Sequence, residues 1–447
     1  MKLWLKLLKS SMALLIALPL LYGGGSTGYA AAVGSESSAK ANGAAKPLRE
    51  GKRLGDSAVR KLANVHIRNY LAQDLQTRGM KLRAADSFLN VYDVDGNPFA
   101  YLVPLIDGDK EKEVGYITIG ALEDGYDAYD INIGDGITGQ IRSLLQAKGQ
   151  GNSSQLVLIP PMQYLVKSTV DGAESFTEMT FDVNRPPVDV TDQIQRNRPE
   201  IQVIYGRIRS EDNKAHIQRN TEKAPEVSTL AVTKEDIALS TERNFDRFVP
   251  VEYSTGNYSY GGNQMWWPDG GQKENRGCGP VAAANITSYL AKITSPTKYG
   301  NLFTKTMTNY TDFLAHMDTM YSYIDPGVLG ETSVSSFASA VEKYATDKKV
   351  TLKRVTSDAS FTLDNTANYV KAGLTIDSPV ATLNLSKFSS YDYEWHWMTI
   401  TKYYRDVNDN RWIAVSTWGQ RRSINYRTHF DAITSFFSLG GGFMYFK

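Results

Sequence analysis

Apolar residues at Val59, Leu62, Ala63, Ile67, Tyr70 and Leu71 recur three and four positions apart, the spacing that lines one face of an α-helix. Asp56, just upstream, is placed to cap such a helix. The period then changes. From Leu89 to Leu105 and again from Val114 to Ile133, apolar and polar residues alternate on both sides of Asp95-Gly96-Asn97 and Asp124-Gly125, which predicts two β-hairpins. Mixed β character continues towards Gly206, broken at Pro160-Pro161 and Pro186-Pro187, and the composition then turns polar and charged. Further on, Val281 to Leu290 is an Ala-rich run with helix character, and Trp395 to Thr401 reads as a strand with His396, Met398 and Ile400 on one face. The pattern predicts an α+β chain: a smaller N-terminal α+β domain over 53–218, a linker over 219–245 and a C-terminal domain over 246–447.

The beginning of the chain follows neither period. Lys2, Lys6 and Lys9 precede the apolar run Met12 to Tyr22, and small residues follow at Gly28, Ala30 and Ala32, which predicts a cleaved signal peptide over 1–31 and a secreted, extracellular protein. Residues 32–52, rich in Ala, Gly, Ser and Lys, bury no core and read as a disordered tether. No later segment reaches the roughly 18 uninterrupted apolar residues of a membrane span, so no membrane association is expected after signal removal. With 49 basic and 48 acidic residues the net charge is +1, which offers no broad field for nucleic acid. No repeat of solenoid length is present, and nothing in the sequence suggests a cofactor or metal: there is no paired-cysteine, His-Glu-x-x-His, P-loop or Gly-x-Ser-x-Gly motif. Asp93 and Asp95 are close together but lack the glycine and distant glutamate of a calcium loop, and they read as a solvated turn.

The chemical signal is one cysteine. Cys278 is the only cysteine of the chain and has no disulfide partner within it. It stands in Gly277-Cys278-Gly279-Pro280, immediately before the Ala-rich helical run, with the proline where a helix N-terminus tolerates one. Unbonded backbone N–H groups and the positive end of the helix dipole stabilise a thiolate at such a position, so Cys278 reads as a nucleophile. A thiolate needs a proton carrier. His396, in its strand-like run, is the best placed; His316 reads as a packed helical residue, His429 as a surface residue and His66 as structural. An oxyanion formed at Cys278 needs a donor besides the backbone N–H. Gln272, six residues upstream, is the candidate, and Gln264 competes with it or serves as a hydrogen-bonded loop amide.

Gln272, the Gly-Cys-Gly-Pro turn, His396 leading a strand and Trp418-Gly419 on the next strand stand in the order of papain-like cysteine peptidases, which the C-terminal domain resembles. Residues from about 255 to 447 resemble more narrowly the bacteriocin-leader-peptidase-like (double-glycine peptidase-like) branch. That likeness rests on Cys278 to Asn285, Ser378-Pro379-Val380-Ala381-Thr382-Leu383 and Ser416-Thr417-Trp418-Gly419. Val114 to Ile119 resembles part of the pro-region of streptopain-like secreted peptidases. The resemblance implies a helical subdomain carrying Cys278, an antiparallel sheet carrying His396, and hydrolysis of protein or peptide substrates through a thioester. A domain without a catalytic set, joined by a polar segment to one that has it, reads as a precursor whose N-terminal domain occupies the active-site cleft until the linker is cleaved, or as a permanent substrate- or wall-binding module. One position departs from the family: Ser416 stands where an Asn or Asp usually orients the histidine, so Ser416, Asp406 and Asn408 all remain candidates for that role. The same thioester could pass to an amine, making an acyltransferase, and the missing Asn or Asp also fits a catalytically altered domain that acts as a secreted binding scaffold.

Overall fold

Helical and alternating patterns become elements in the order the sequence predicts. The computed structural model describes residues 52–149, 153–179, 187–222, 233–244, 247–267, 272–326, 332–385, 395–433 and 442–447; the expected signal peptide, 1–31, and all but the last residue of the tether, 32–52, lie outside them. Helix α1 (Asp56–His66) runs on into a π-helical turn over Ile67–Leu71, which buries the whole stripe from Val59 to Leu71. Asp56 is the first helical residue and Gly55 holds the capping position, so the carboxylate acts on the helix dipole and caps no N–H.

Five strands follow: β1 (Leu82–Ala84), β2 (Leu89–Tyr92), β3 (Pro98–Asp107), β4 (Lys112–Gly120) and β5 (Ala128–Ile133). The expected hairpins are the antiparallel pairs β2–β3 and β4–β5. Then come α2 (Ile137–Lys148), β6 (Ser153–Ile159), β7 (Gln163–Val170), β8 (Ala173–Glu178) and β9 (Val188–Asp189). Helices α3 (Thr191–Ile208) and α4 (Glu211–Glu222) end this part.

The rest of the chain opens with β10 (Thr233–Ala238), α5 (Ser240–Asn244), β11 (Glu252–Ser254) and β12 (Asn257–Tyr258). A helical stretch follows: α6 (Gln272–Arg276), α7 (Cys278–Tyr289), α8 (Pro296–Tyr299), α9 (Tyr310–Ile324), α10 (Val334–Asp347) and α11 (Leu363–Thr375). The chain closes with β13 (Val380–Leu385), β14 (Trp395–Asp406), β15 (Arg411–Thr417), β16 (Gln420–Asn425), α12 (Tyr426–Ala432) and β17 (Phe443–Met444).

The architecture is α+β around one large mixed sheet that runs through both parts, in the order β17-β13-β14-β15-β16-β5-β4-β3-β2-β6-β7-β8-β9. Strands β2 and β6 pair in parallel; every other pairing among the described strands is antiparallel. The parts join at β16 and β5, where Ser423 pairs with Ile131 and Ile424 with Asp130. Residues 47–447 form one compact unit. The span expected as a linker, 219–245, contributes the end of α4, α5, and strand β10, which pairs along β14 from Thr233↔Asp406 to Ala238↔Lys402.

Apolar burial follows the same join. One cluster fills the helices and sheet of the C-terminal part, and a second packs α3 and α2 on β6 to β8. A third is shared: Val59, Leu62 and Tyr70 pack with Tyr404 of β14 and Trp412 of β15. Polar groups lock it. Arg422 pairs with Asp130, which also accepts from the hydroxyls of Tyr164 (2.5 Å) and Tyr116 (3.2 Å). Neighbouring Arg421 binds Asp74 at 2.7 Å and pairs with Glu242. Beside them, Asp127 lies 3.1 Å from His66 and 3.4 Å from His216, and Trp412 Nε1 donates to His66 Nδ1 at 3.3 Å.

Two hairpins share one local solution. In Asp93-Val94-Asp95-Gly96-Asn97, Asp93 accepts from the N–H groups of Asp95 and Asn97 and from the Asn97 amide, at 2.8–2.9 Å. In Asp406-Val407-Asn408-Asp409-Asn410, Asp406 accepts from the corresponding groups of Asn408 and Asn410 at 2.7–2.9 Å. The fourth residue has positive φ in both, +87° at Gly96 and +69° at Asp409. A short side-chain acceptor that satisfies its own turn explains why both sequences begin with Asp and end with Asn. The first turn is less solvated than its sequence suggests: Asp93 is buried, and Arg198 bonds both Asp95 and the Val94 carbonyl.

Candidate active site

Cys278 is the first residue of α7, and every residue from Gly279 to Tyr289 is buried. An Ala-rich helix that is apolar all round belongs in a core, which fixes its first turn rigidly. Gly277 precedes the cysteine, and a Cβ there would lie 2.1 Å from the Trp267 ring. Glycine is therefore required for Trp267 to pack against the backbone that leads into Cys278. Cys278 itself keeps partial exposure and its sulfur is in no disulfide.

His396 is the second residue of β14 and is 4% exposed. Its Nε2 lies 2.7 Å from Thr417 Oγ1, and the indole of Trp418 stacks on its ring at 4.3 Å with 15° between the planes. Burial pushes the imidazole pKa down to about 3. Trp418 and Gly419 are not on a strand, as the sequence predicts, but form the two-residue turn between β15 and β16, with Thr417 paired to Gln420. Their φ values are +46° and +71°, a conformation that suits a tight hairpin but is rare for a bulky residue such as Trp. The turn is held from outside: Gly419 N donates to Gly262 O at 3.1 Å, and Tyr260 N donates to Gly419 O at 2.7 Å.

Helix α7 packs against β14. Asn285 of α7 accepts from Gly262 N at 2.8 Å and donates to Ser416 Oγ at 3.5 Å, while Ser416 donates to Tyr260 O at 2.6 Å. Ser416 thus ties the helix and the 260–263 loop to β15. Asp406 and Asn408 sit in the turn at the far end of β14 from His396 and are bonded within it. Of the residues considered for orienting the imidazole, none makes the observed bond to Nε2; Thr417 does. Cys278 and Trp418 both border the C-terminal hydrophobic cluster. No family model matches this chain, and no curated protein matches it.

The other sequence candidates are placed as follows. Gln272 begins α6, the short helix that precedes α7; its side chain lies outside the described residues. Gln264 donates its amide to the Glu274 carbonyl at 2.8 Å, which is the loop role open to it. His316 is packed against Phe303 and bonded to Thr287 at 2.8 Å. His429 is buried, contrary to the surface position expected for it, because α12 turns that face onto β13, where Thr382 bonds it at 2.8 Å. His66 is structural, at the shared cluster. Among the described residues no group of three or more His, Cys, Asp or Glu could hold a metal ion. Sequence reasoning does not single out Thr417. Its signal is the position directly before the Trp-Gly pair, since a two-residue hairpin turn makes it the last paired residue of the strand.

Proposed function

We propose that this chain is a secreted, papain-like cysteine peptidase in which Cys278 attacks the peptide carbonyl and His396 carries the proton. The observation that carries the reading is the pairing of elements. The only cysteine of the chain starts a buried helix, and that helix lies on the strand whose second residue is a histidine held at its edge by Thr417 and on its face by Trp418. Deprotonated by His396, the sulfur adds to the carbonyl carbon. Collapse of the tetrahedral adduct breaks the C–N bond, the imidazolium protonates the leaving amine, and a thioester remains. Water, deprotonated by the same imidazole, then releases the acid and restores the thiol. The Cys278 backbone N–H at the helix start faces the developing oxyanion in this scheme, with Gln272 as the second donor.

The N-terminal part fits an inhibitory role. Among the described residues before 223, Met162, between β6 and β7, is the one buried in the cluster that Cys278 and Trp418 border. A part of the chain without a comparable Cys–His pair thus reaches the half that has one. The apolar run and small residues before Ala32 support secretion.

The test uses protein lacking residues 1–31, unchanged and as Cys278→Ala, with a thiol-directed epoxide and an unfolded protein as substrate. Labelling at Cys278, together with hydrolysis and self-cleavage that vanish in the variant, is expected. Absence of both labelling and hydrolysis in the unchanged protein, before and after cleavage between residues 222 and 233, would rule out the peptidase and favour a binding scaffold.

A further inference from the structure

We infer that Thr417 is the positioning residue for His396: its hydroxyl accepts the Nε2–H and thereby selects the tautomer whose lone pair is on Nδ1. The inference rests on the peptidase reading, whose proton transfer selects the direction of this bond, while the contact between Thr417 and His396 belongs to the folded chain itself.

The geometry limits the ring on two sides. Thr417 Oγ1 lies 2.7 Å from Nε2, and both residues are 4% exposed, so bulk water does not compete for this bond. The β-branched side chain of Thr has few rotamers on a strand, and its position is fixed by pairing with Gln420 across the turn. Trp418 covers one face of the imidazole at 4.3 Å and blocks rotation out of the plane. Strand alternation then divides the labour between neighbours: Ser416 points to Tyr260 O and Asn285, and Thr417 points to His396.

The chemistry of a hydroxyl makes this partner different from an amide or carboxylate. A carboxylate only accepts, so it fixes the Nε2–H and also stabilises the imidazolium. A hydroxyl carries no charge and can either accept from Nε2–H or donate to a bare Nε2. If it donates, the proton resides on Nδ1 and that nitrogen cannot take a proton from the thiol. If it accepts, Nδ1 is the basic nitrogen, and the Nε2–H bond persists when the ring becomes doubly protonated. Proton transfer requires the second arrangement, and Thr417 serves catalysis by holding it.

The test compares the full-length mature chain with Thr417→Val, which keeps the shape and removes the oxygen, and with Thr417→Ser, which restores the oxygen. Nitrogen-15 NMR of labelled histidine reads the tautomer of His396 without reference to activity; Nε2–H is expected in the unchanged protein and in T417S, and a mixture in T417V. In hydrolysis, T417V should lose kcat by about 10- to 100-fold at nearly unchanged KM, with T417S recovering most of it. A T417V protein that keeps both tautomer and kcat, or an unchanged protein with the proton on Nδ1, overturns the inference. If no hydrolysis depends on Cys278 while the NMR result holds, the peptidase reading fails and the positioning of the ring stands.

Discussion

Burial pushes three of the five histidines, His316, His396 and His429, down to about pKa 3. In the folded chain they are neutral, whereas in the unfolded chain they protonate below their ordinary value of 6.5. Each depressed value contributes stability that is present above pH 6.5 and is lost as pH falls towards 3. His216 works the other way: although burial lowers its pKa, Asp127 and Asn410 together raise it, so its contribution is present below pH 6.5 and fades above it. The urea midpoint should therefore drop as pH is lowered from 6.5 to 4, and His316→Gln should reduce the uptake on unfolding by about one proton in that range. An unchanged pH slope in that variant would contradict the assignment. At this scale the sequence points to Cys278 and His396 as candidates because a Gly-flanked cysteine before an Ala-rich run and a histidine in an alternating run carry local patterns. It does not identify Thr417, since Ser416 and Thr417 are both small hydroxyl residues and only the pairing decides which one faces the ring.

Strand β16 bears Arg421 and Arg422 side by side, and because successive residues point to opposite faces they grip different parts of the N-terminal region. Arg421 reaches Asp74, and Arg422 reaches Asp130 with both side chains of that pair at most 2% exposed. Removing one member of a buried pair strands the other. Arg422→Ala should cost about 3–5 kcal/mol in urea unfolding, and Arg422→Met with Asp130→Leu should cost clearly less. Equal losses in the single and double variants would show that packing, not the stranded charge, sets the effect. Elements with strong internal periodicity, such as α1 and the β2–β3 hairpin, are legible in the sequence because the spacing of their own apolar residues specifies them. Strand β10 is not: Thr233-Lys234-Glu235-Asp236-Ile237-Ala238 is mostly polar, all but its last residue are intermediate or exposed, and its conformation comes from pairing with β14.

Across the whole molecule, one sheet and a shared apolar cluster make the two parts of the chain a single structural unit. A protease site introduced between residues 222 and 233 should yield two fragments that co-elute on gel filtration and separate only in denaturant; separation in buffer alone would show that the β16–β5 join does not hold them. On the proposed precursor reading, a cut there would not by itself release the N-terminal part. The join also has a cost in time. Trp412 meets His66 across 346 positions and Arg422 meets Asp130 across 292, and contacts so distant in sequence form slowly. A chain delivered N-terminus first carries β5 as an open edge and an apolar cluster around α1 that lacks Tyr404 and Trp412 until β14 to β16 arrive. The interval of that exposure, more than the strength of the finished contacts, sets its susceptibility to aggregation on the way to the native state.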